Sequence, residues 1–340
     1  MGIVWGLLII AVGSFLQSSS YVPIRKVRGW SWETFWLTQG IFAWLVFPLI
    51  GALAAVSPTD FGAVLGAGGA WKAVVFGALW GVGGLTFGLS MRYLGVALGQ
   101  SVSLGLCSAL GTLLPALFRG DNLFDGPGLV LLVGVAITLA GISVIGYAGS
   151  LRARNMSDEE KRAAIKDFAL TKGLLVALLA GAMSACFALG LDAGTHVKAA
   201  AMASGASALL AGLPVVFLVT LGGFATNAAY CITQNIRNKT GREYLCSGGR
   251  TLANNLLFCL LAGGFWYSQF FGLEAGKSFL AGSPVLVAFS WSILMSLNVL
   301  FSNFWGVLLR EWKGSGGRTI VVLCVGLAIL LFSIFYSSLA

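Results

Sequence analysis

Ten apolar runs, each about as long as a bilayer core is thick, constrain this chain more than any other feature. A hydrocarbon core of about 30 Å is crossed by roughly 20 helical residues. Cutting the chain at charged or turn-rich points leaves runs at residues 3–24, 32–56, 73–91, 96–118, 127–149, 171–194, 207–231, 251–273, 281–307 and 319–338. They far exceed the roughly 9–11 residues of a transmembrane barrel strand, and they do not alternate apolar with polar. Composition agrees: 58% of residues are hydrophobic and only 10% charged, against about 25% charged in a soluble domain. The expected fold class is all-α integral membrane, with ten transmembrane helices. The first run has no basic segment before it and continues to about Pro23, so it reads as a span, not as a removed leader.

The loops orient the spans. If the amino terminus lies outside, seventeen of the 21 Lys and Arg residues fall in inner loops. Only Lys72, Arg119, Lys198 and Lys277 fall outside. Such a bias marks the cytoplasmic side. It predicts a multi-pass protein of the bacterial inner membrane with both termini periplasmic. The net charge of +9 therefore follows membrane orientation, and no nucleic-acid partner is expected.

The longest charged stretch, Arg152 to Lys172, reads as a solvated linker. It predicts a first five-helix repeat over 1–150, a cytoplasmic linker over 151–170 and a second five-helix repeat over 171–340. Five is odd, so the second half enters the membrane from the opposite side. Two inverted halves are the layout of many secondary transporters. Weak symmetry agrees: Trp80 precedes Phe87-Gly88-Leu89 near the end of the third run, and Trp266 precedes Phe271-Gly272-Leu273 at the end of the eighth.

Several chemistries lack their residues. The six cysteines form no CxxC pair, and five lie in or beside apolar runs, so they read as small apolar residues. No Walker-type phosphate loop, metal-ligand cluster or nucleophile-plus-base arrangement is present. Neither an enzyme, a cofactor nor a bound metal is expected.

Four segments carry a family likeness: Tyr21 to Trp36 (YVPIRKVRGWSWETFW), Gly77 to Gly95 (GALWGVGGLTFGLSMRYLG), Trp266 to Phe271 (WYSQFF) and Leu309-Arg310-Glu311-Trp312. On these the chain resembles the L-rhamnose–proton symporters, a branch of the drug/metabolite transporter superfamily. The resemblance implies ten helices in inverted repeats, alternating access, and uptake of a 6-deoxyhexose with a proton. The stretch Ala188 to Ala199 and the loop Ser283–Val285 depart from the family pattern.

A neutral sugar is bound by uncharged donors and acceptors and by flat aromatic faces against its C–H surface. Polar side chains in hydrocarbon should face the bundle interior. Helical spacing aligns Asn255, Cys259, Ala262, Trp266 and Gln269; Trp291, Met295, Asn298 and Ser302; Ser14, Gln17, Ser18 and Tyr21; and Gln100, Ser103, Cys107 and Gly111. These stripes suit a central cavity. The expected substrate-binding residues are Gln17, Tyr21, Trp80, Gln100, Asn255, Trp266, Gln269, Trp291 and Asn298. The competing reading is interhelical hydrogen bonding, at about 0.6 kcal/mol each, or, for tryptophans, interfacial anchoring.

Proton coupling needs a group that changes charge. Glu33 opens the second run, with Trp32, Trp36 and Gln39 nearby. It also fits a plain helix-end role, with Ser31 as cap. Asp192 is the second coupling candidate, and His196 reads as a solvated loop residue. A gate ion pair from Glu33 to Lys26 or Arg92 is a further expectation. The partners expected are thus a sugar, a proton (Na⁺ being the alternative) and the lipid bilayer. The alternatives are an exporter of the same fold with another substrate, and a membrane sugar sensor without flux.

Overall fold

The computed structural model describes residues 2–94, 96–154, 169–246, 248–310 and 312–339. Among them, ten helices are long and apolar enough to cross a membrane, and no strand occurs. They are Gly2–Ile24, Trp32–Ala55, Ala70–Met91, Ser101–Phe118, Gly126–Arg152, Thr171–Ala203, Leu213–Asn238, Gly249–Leu280, Pro284–Leu308 and Gly317–Tyr336. They are numbered here as the first to tenth spans. The core of the expected linker, 155–168, lies outside the described residues.

Where span ends depart from expectation, local chemistry explains the shift. The seventh run was expected at 207–231. Residues before it instead fold into turns, with Gly205 at φ +89°, and the helix starts at Leu213 with Pro214 in its first turn. Proline suits that place because the first-turn N–H has no helical partner anyway. At its other end the polar stretch to Asn238 stays helical and stops at Lys239, whose φ is 58°. The eighth run was expected to end at 273. The helix continues to Leu280 because Glu274 and Lys277 pair one turn apart.

The chain divides into two compact units, and each takes helices from both halves of the sequence. The first holds residues 1–81 and 190–279. Its helices approach through glycines. A Cβ on Gly77 would lie 2.0 Å from the Val219 carbonyl oxygen, and one on Gly222 2.0 Å from that of Val74, so the third and seventh spans touch backbone to backbone. Gly13 and Gly272 make a similar crossing between the first and eighth spans. Small residues permit such contact in lipid, where no hydrophobic effect drives helices together.

The second unit holds residues 82–189 and 280–340. Its core includes Ile142, Ile145, Val299, Leu323 and Leu330. Gly141 lies against Leu330 and Gly326 against Ile145, which brings the fifth and tenth spans together. A buried hydroxyl chain joins three of its spans: Ser108 pairs with Ser292 at 3.0 Å, and Ser292 donates to Thr138 at 3.2 Å.

Candidate transport site

In the first unit, three indoles, Trp44, Trp80 and Trp266, gather near the middle of their spans, and Trp36 joins them from nearer the start of the second span. Trp44 of the second span stands edge-on to Trp36 (5.5 Å), Trp80 (6.0 Å) and Trp266 (5.9 Å). Trp80 and Trp266 lie 5.7 Å apart, and Phe270 abuts Trp266 at 5.1 Å. Edge-to-face pairing suits aromatic quadrupoles. Two indoles rest where a side chain is missing: Trp44 covers Gly40, and Trp80 covers Gly223.

The second span reaches this cluster through a π-helical turn, Ile41–Val46, in which the Phe47 N–H bonds the Phe42 carbonyl. Pro48 follows at once and supplies no N–H, which disfavours the regular α ladder there. The turn also re-aims Trp44. In a straight α-helix Trp36 and Trp44 would sit about 80° apart, and one inserted residue withdraws about 100°. The two rings therefore meet.

Polar groups accompany the indoles. Trp36 Nε1 donates to Asn227 Oδ1 at 2.9 Å, and Asn227 Nδ2 donates to the Gly223 carbonyl. Trp44 Nε1 is buried and makes no hydrogen bond among the described residues, as is Gln39 Oε1 on the same span and Tyr267 Oη on the eighth. Buried donors and acceptors normally have partners. The Trp44 N–H, unpaired inside the aromatic cluster, is fit to meet a ligand hydroxyl.

One end of the same unit holds Glu33, which is buried. Asn238 Nδ2 and Thr240 Oγ1 both donate to its Oε1, at 2.8 and 2.9 Å. Asn235 Oδ1 accepts from Thr34 and lies 2.8 Å from Thr240 Oγ1, whose single proton is shared between Asn235 and Glu33, and Asn235 Nδ2 donates to Tyr244 Oη. Glu33 is thus held by neutral side chains, Asn238 at the end of the seventh span and Thr240 in the turn after it; no ion pair to Lys26 occurs among the described residues, and the Arg92 side chain lies outside them. The expected cap is corrected too: Ser31 makes no side-chain cap bond. Its N–H and Oγ both donate to Glu243 Oε2, so Glu243 closes this helix end from another segment.

The other expected residues divide between the units. Asn255 is fully buried, and its amide clamps the Arg28 backbone: Oδ1 accepts from the N–H and Nδ2 donates to the carbonyl. Gln269 is buried and bonds the Trp266 carbonyl. Gln17 accepts from Ser18, and Tyr21 is exposed. Asp192 is half-buried. In the second unit, Trp291 stacks on Phe187 at 5.8 Å and donates to the Cys107 carbonyl, its ring over Gly111. Asn298 lies two turns further along the same face of that span, half-buried. The Gln100 side chain lies outside the described residues.

The model of the L-rhamnose-proton symport protein family matches residues 1–339. The chain belongs to that family. The L-rhamnose-proton symporter of Yersinia pestis (strain Pestoides F) is 32% identical over 98% of this chain and 95% of its own length. That of Yersinia pseudotuberculosis serotype O:1b (strain IP 31758) matches to the same extent. This rhamnose symporter family member is therefore a membrane transporter, and its ten spans make it a multi-pass protein of the bacterial inner membrane.

Three features of the transporter escaped the sequence reading. Trp44 was missed because the π turn breaks α spacing. Asn235, Asn238 and Thr240 were assigned to the span end or loop, where polar residues carry no signal. Glu274 was overlooked as lying beyond the apolar run. It is buried and bridges Lys277 at 2.7 Å and Lys198 at 3.3 Å, tying the Thr195–Ala203 helix to the eighth span. The charge pattern of Glu274 and Lys277, three residues apart, could have flagged it.

Proposed function

We propose that this protein imports L-rhamnose, or a closely related 6-deoxyhexose, together with a proton by alternating access. The observation that carries the reading is the mid-span indole cluster with its buried, unpartnered Trp44 N–H. Trp44, Trp80 and Trp266 offer apolar faces to a sugar's C–H surface, while Trp44 Nε1 and Gln39 Oε1 meet its hydroxyls. The names of the Yersinia relatives support rhamnose and the proton as the pair carried.

Glu33 carries the coupling proton in this reading, with Asp192 as the alternative. As a buried carboxylate with neutral partners, Glu33 can change charge without first breaking an ion pair. The fold is that of the drug/metabolite transporters, with inverted repeats over 1–150 and 171–340 and both termini periplasmic. The division into units supports the repeats. The first unit holds spans one, two, seven and eight with parts of three and six, and the second holds four, five, nine and ten with the remainder of three and six. Spans two and seven share the first unit, and four with nine and five with ten share the second, as matching a span to the one five later requires.

Uptake of radiolabelled L-rhamnose into proteoliposomes tests this, with and without an inward proton gradient. Accumulation that needs the gradient is expected. Flux indifferent to it, or no flux of rhamnose or fucose at all, would sink the reading.

A further inference from the structure

The first unit has an open groove of about 720 Å³ where the second and seventh spans end at the Thr240–Arg242 turn. One wall is a single helical face: Ile232, Ile236 and Lys239 fall at i, i+4 and i+7. Both isoleucines are exposed, Ile236 by 74%, and Leu37 faces them from the second span. Lys239 ends the helix, and its N–H is tied to the Asn235 and Ile236 carbonyls. Arg242 closes the rim two residues beyond Thr240. Neither cation makes an ion pair among the described residues. Their backs are supported by Asn235 and Tyr244, which are hydrogen-bonded to each other.

We infer that this groove binds one anionic phospholipid, its phosphate between Lys239 and Arg242 and an acyl chain along Ile236 and Ile232. The vertical order fits a lipid. Ile236 lies about 4.5 Å and Ile232 about 10 Å below Lys239 along the helix, at 1.5 Å per residue. Exposed aliphatic side chains at that depth face hydrocarbon, and cations at the span end face headgroups. A free inorganic anion would use the two cations and leave the isoleucine face unexplained. The site does not depend on which solute the protein carries.

Full-length protein in phosphatidylcholine nanodiscs would be titrated with phosphatidylglycerol. Bound lipid is counted by native mass spectrometry, and Tm is followed in parallel. The wild type is expected to retain one phosphatidylglycerol per chain and to gain in Tm. Lys239→Asn combined with Arg242→Gln should weaken that binding at least tenfold, with Tm in phosphatidylcholine alone unchanged. Asn is chosen because it tolerates positive φ. Arg242→Gln alone, in an exposed turn, should lose part of the binding. The charge-matched pair Lys313→Gln and Arg318→Gln should bind as the wild type does. Unchanged binding in the groove variants, or equal loss in the control pair, overturns the site. Full displacement by inorganic phosphate overturns the lipid assignment.

Discussion

Trp44 and Glu33 show how single buried groups set opposite demands on stability and function. The Trp44 N–H is buried with no partner, a state that costs free energy in the empty protein. Trp44→Phe keeps a ring and deletes that donor. We expect the empty protein to unfold at a slightly higher temperature, while sugar affinity falls by up to about tenfold, the worth of one hydrogen bond. Denaturation curves and rhamnose titrations of the same sample read both signs. Glu33→Gln preserves an acceptor for Asn238 and Thr240, so the fold should hold. Gradient-driven accumulation should vanish while rhamnose exchange down its own gradient persists. Glu33→Ala strips the acceptor from Asn238, an exposed residue that water can satisfy, while Thr240 keeps Asn235 as acceptor, so Tm should drop only slightly. Intact proton-driven uptake in Glu33→Gln would return Glu33 to a helix-end role.

At the level of elements, the two GxxxG patterns of the third span have different fates. Gly77 and Gly81 lie against the seventh span, whereas a Cβ at Gly84 or Gly88 would meet nothing within 4 Å. The sequence shows both patterns equally, and only packing tells them apart. Gly77→Ala pushes against a carbonyl that cannot move alone, and overpacking of this kind costs about 1–3 kcal/mol. Gly84→Ala is expected to be neutral or to stabilise by up to about 1 kcal/mol through helix propensity. Thermal unfolding of the pair in one detergent checks the contrast. The π turn belongs to this scale as well. Pro48 was visible in the sequence as a break, but the rotation it permits, which carries Trp44 to Trp36, depends on Gly40 leaving room for the indole.

For the whole molecule, the ten spans and their order were legible because a bilayer imposes one length and one polarity on every crossing helix. The proposed orientation has a direct check in the native cysteines. Cys107, Cys186, Cys231 and Cys259 are buried, Cys324 is exposed within the tenth span and is replaced by Ser for the assay, and Cys246 is exposed between the seventh and eighth spans. A membrane-impermeant maleimide should label Cys246 in inverted vesicles and not in intact spheroplasts. A cysteine placed at Phe124, exposed between the fourth and fifth spans, should show the reverse. Labelling of Cys246 from the periplasm would invert the proposed topology.

The sequence by itself determined that this chain lives in lipid, how many times it crosses, and to which family it is similar. Hydrophobicity and loop charge act locally, so they can be read residue by residue. Trp80 and Trp266 could be singled out from single helices too, Trp80 as a tryptophan near mid-span and Trp266 as a member of the Asn255–Gln269 stripe. Tertiary structure alone decided which polar and aromatic groups meet. It brought Trp36, Trp44, Trp80 and Trp266 from three spans into one cluster, and it gave Glu33 partners more than 200 positions away. It also fixed Asn255 against the Arg28 backbone. Such pairings depend on helix rotation and on glycine contacts between spans. A one-residue π insertion alters both, and no periodicity within a single helix records it.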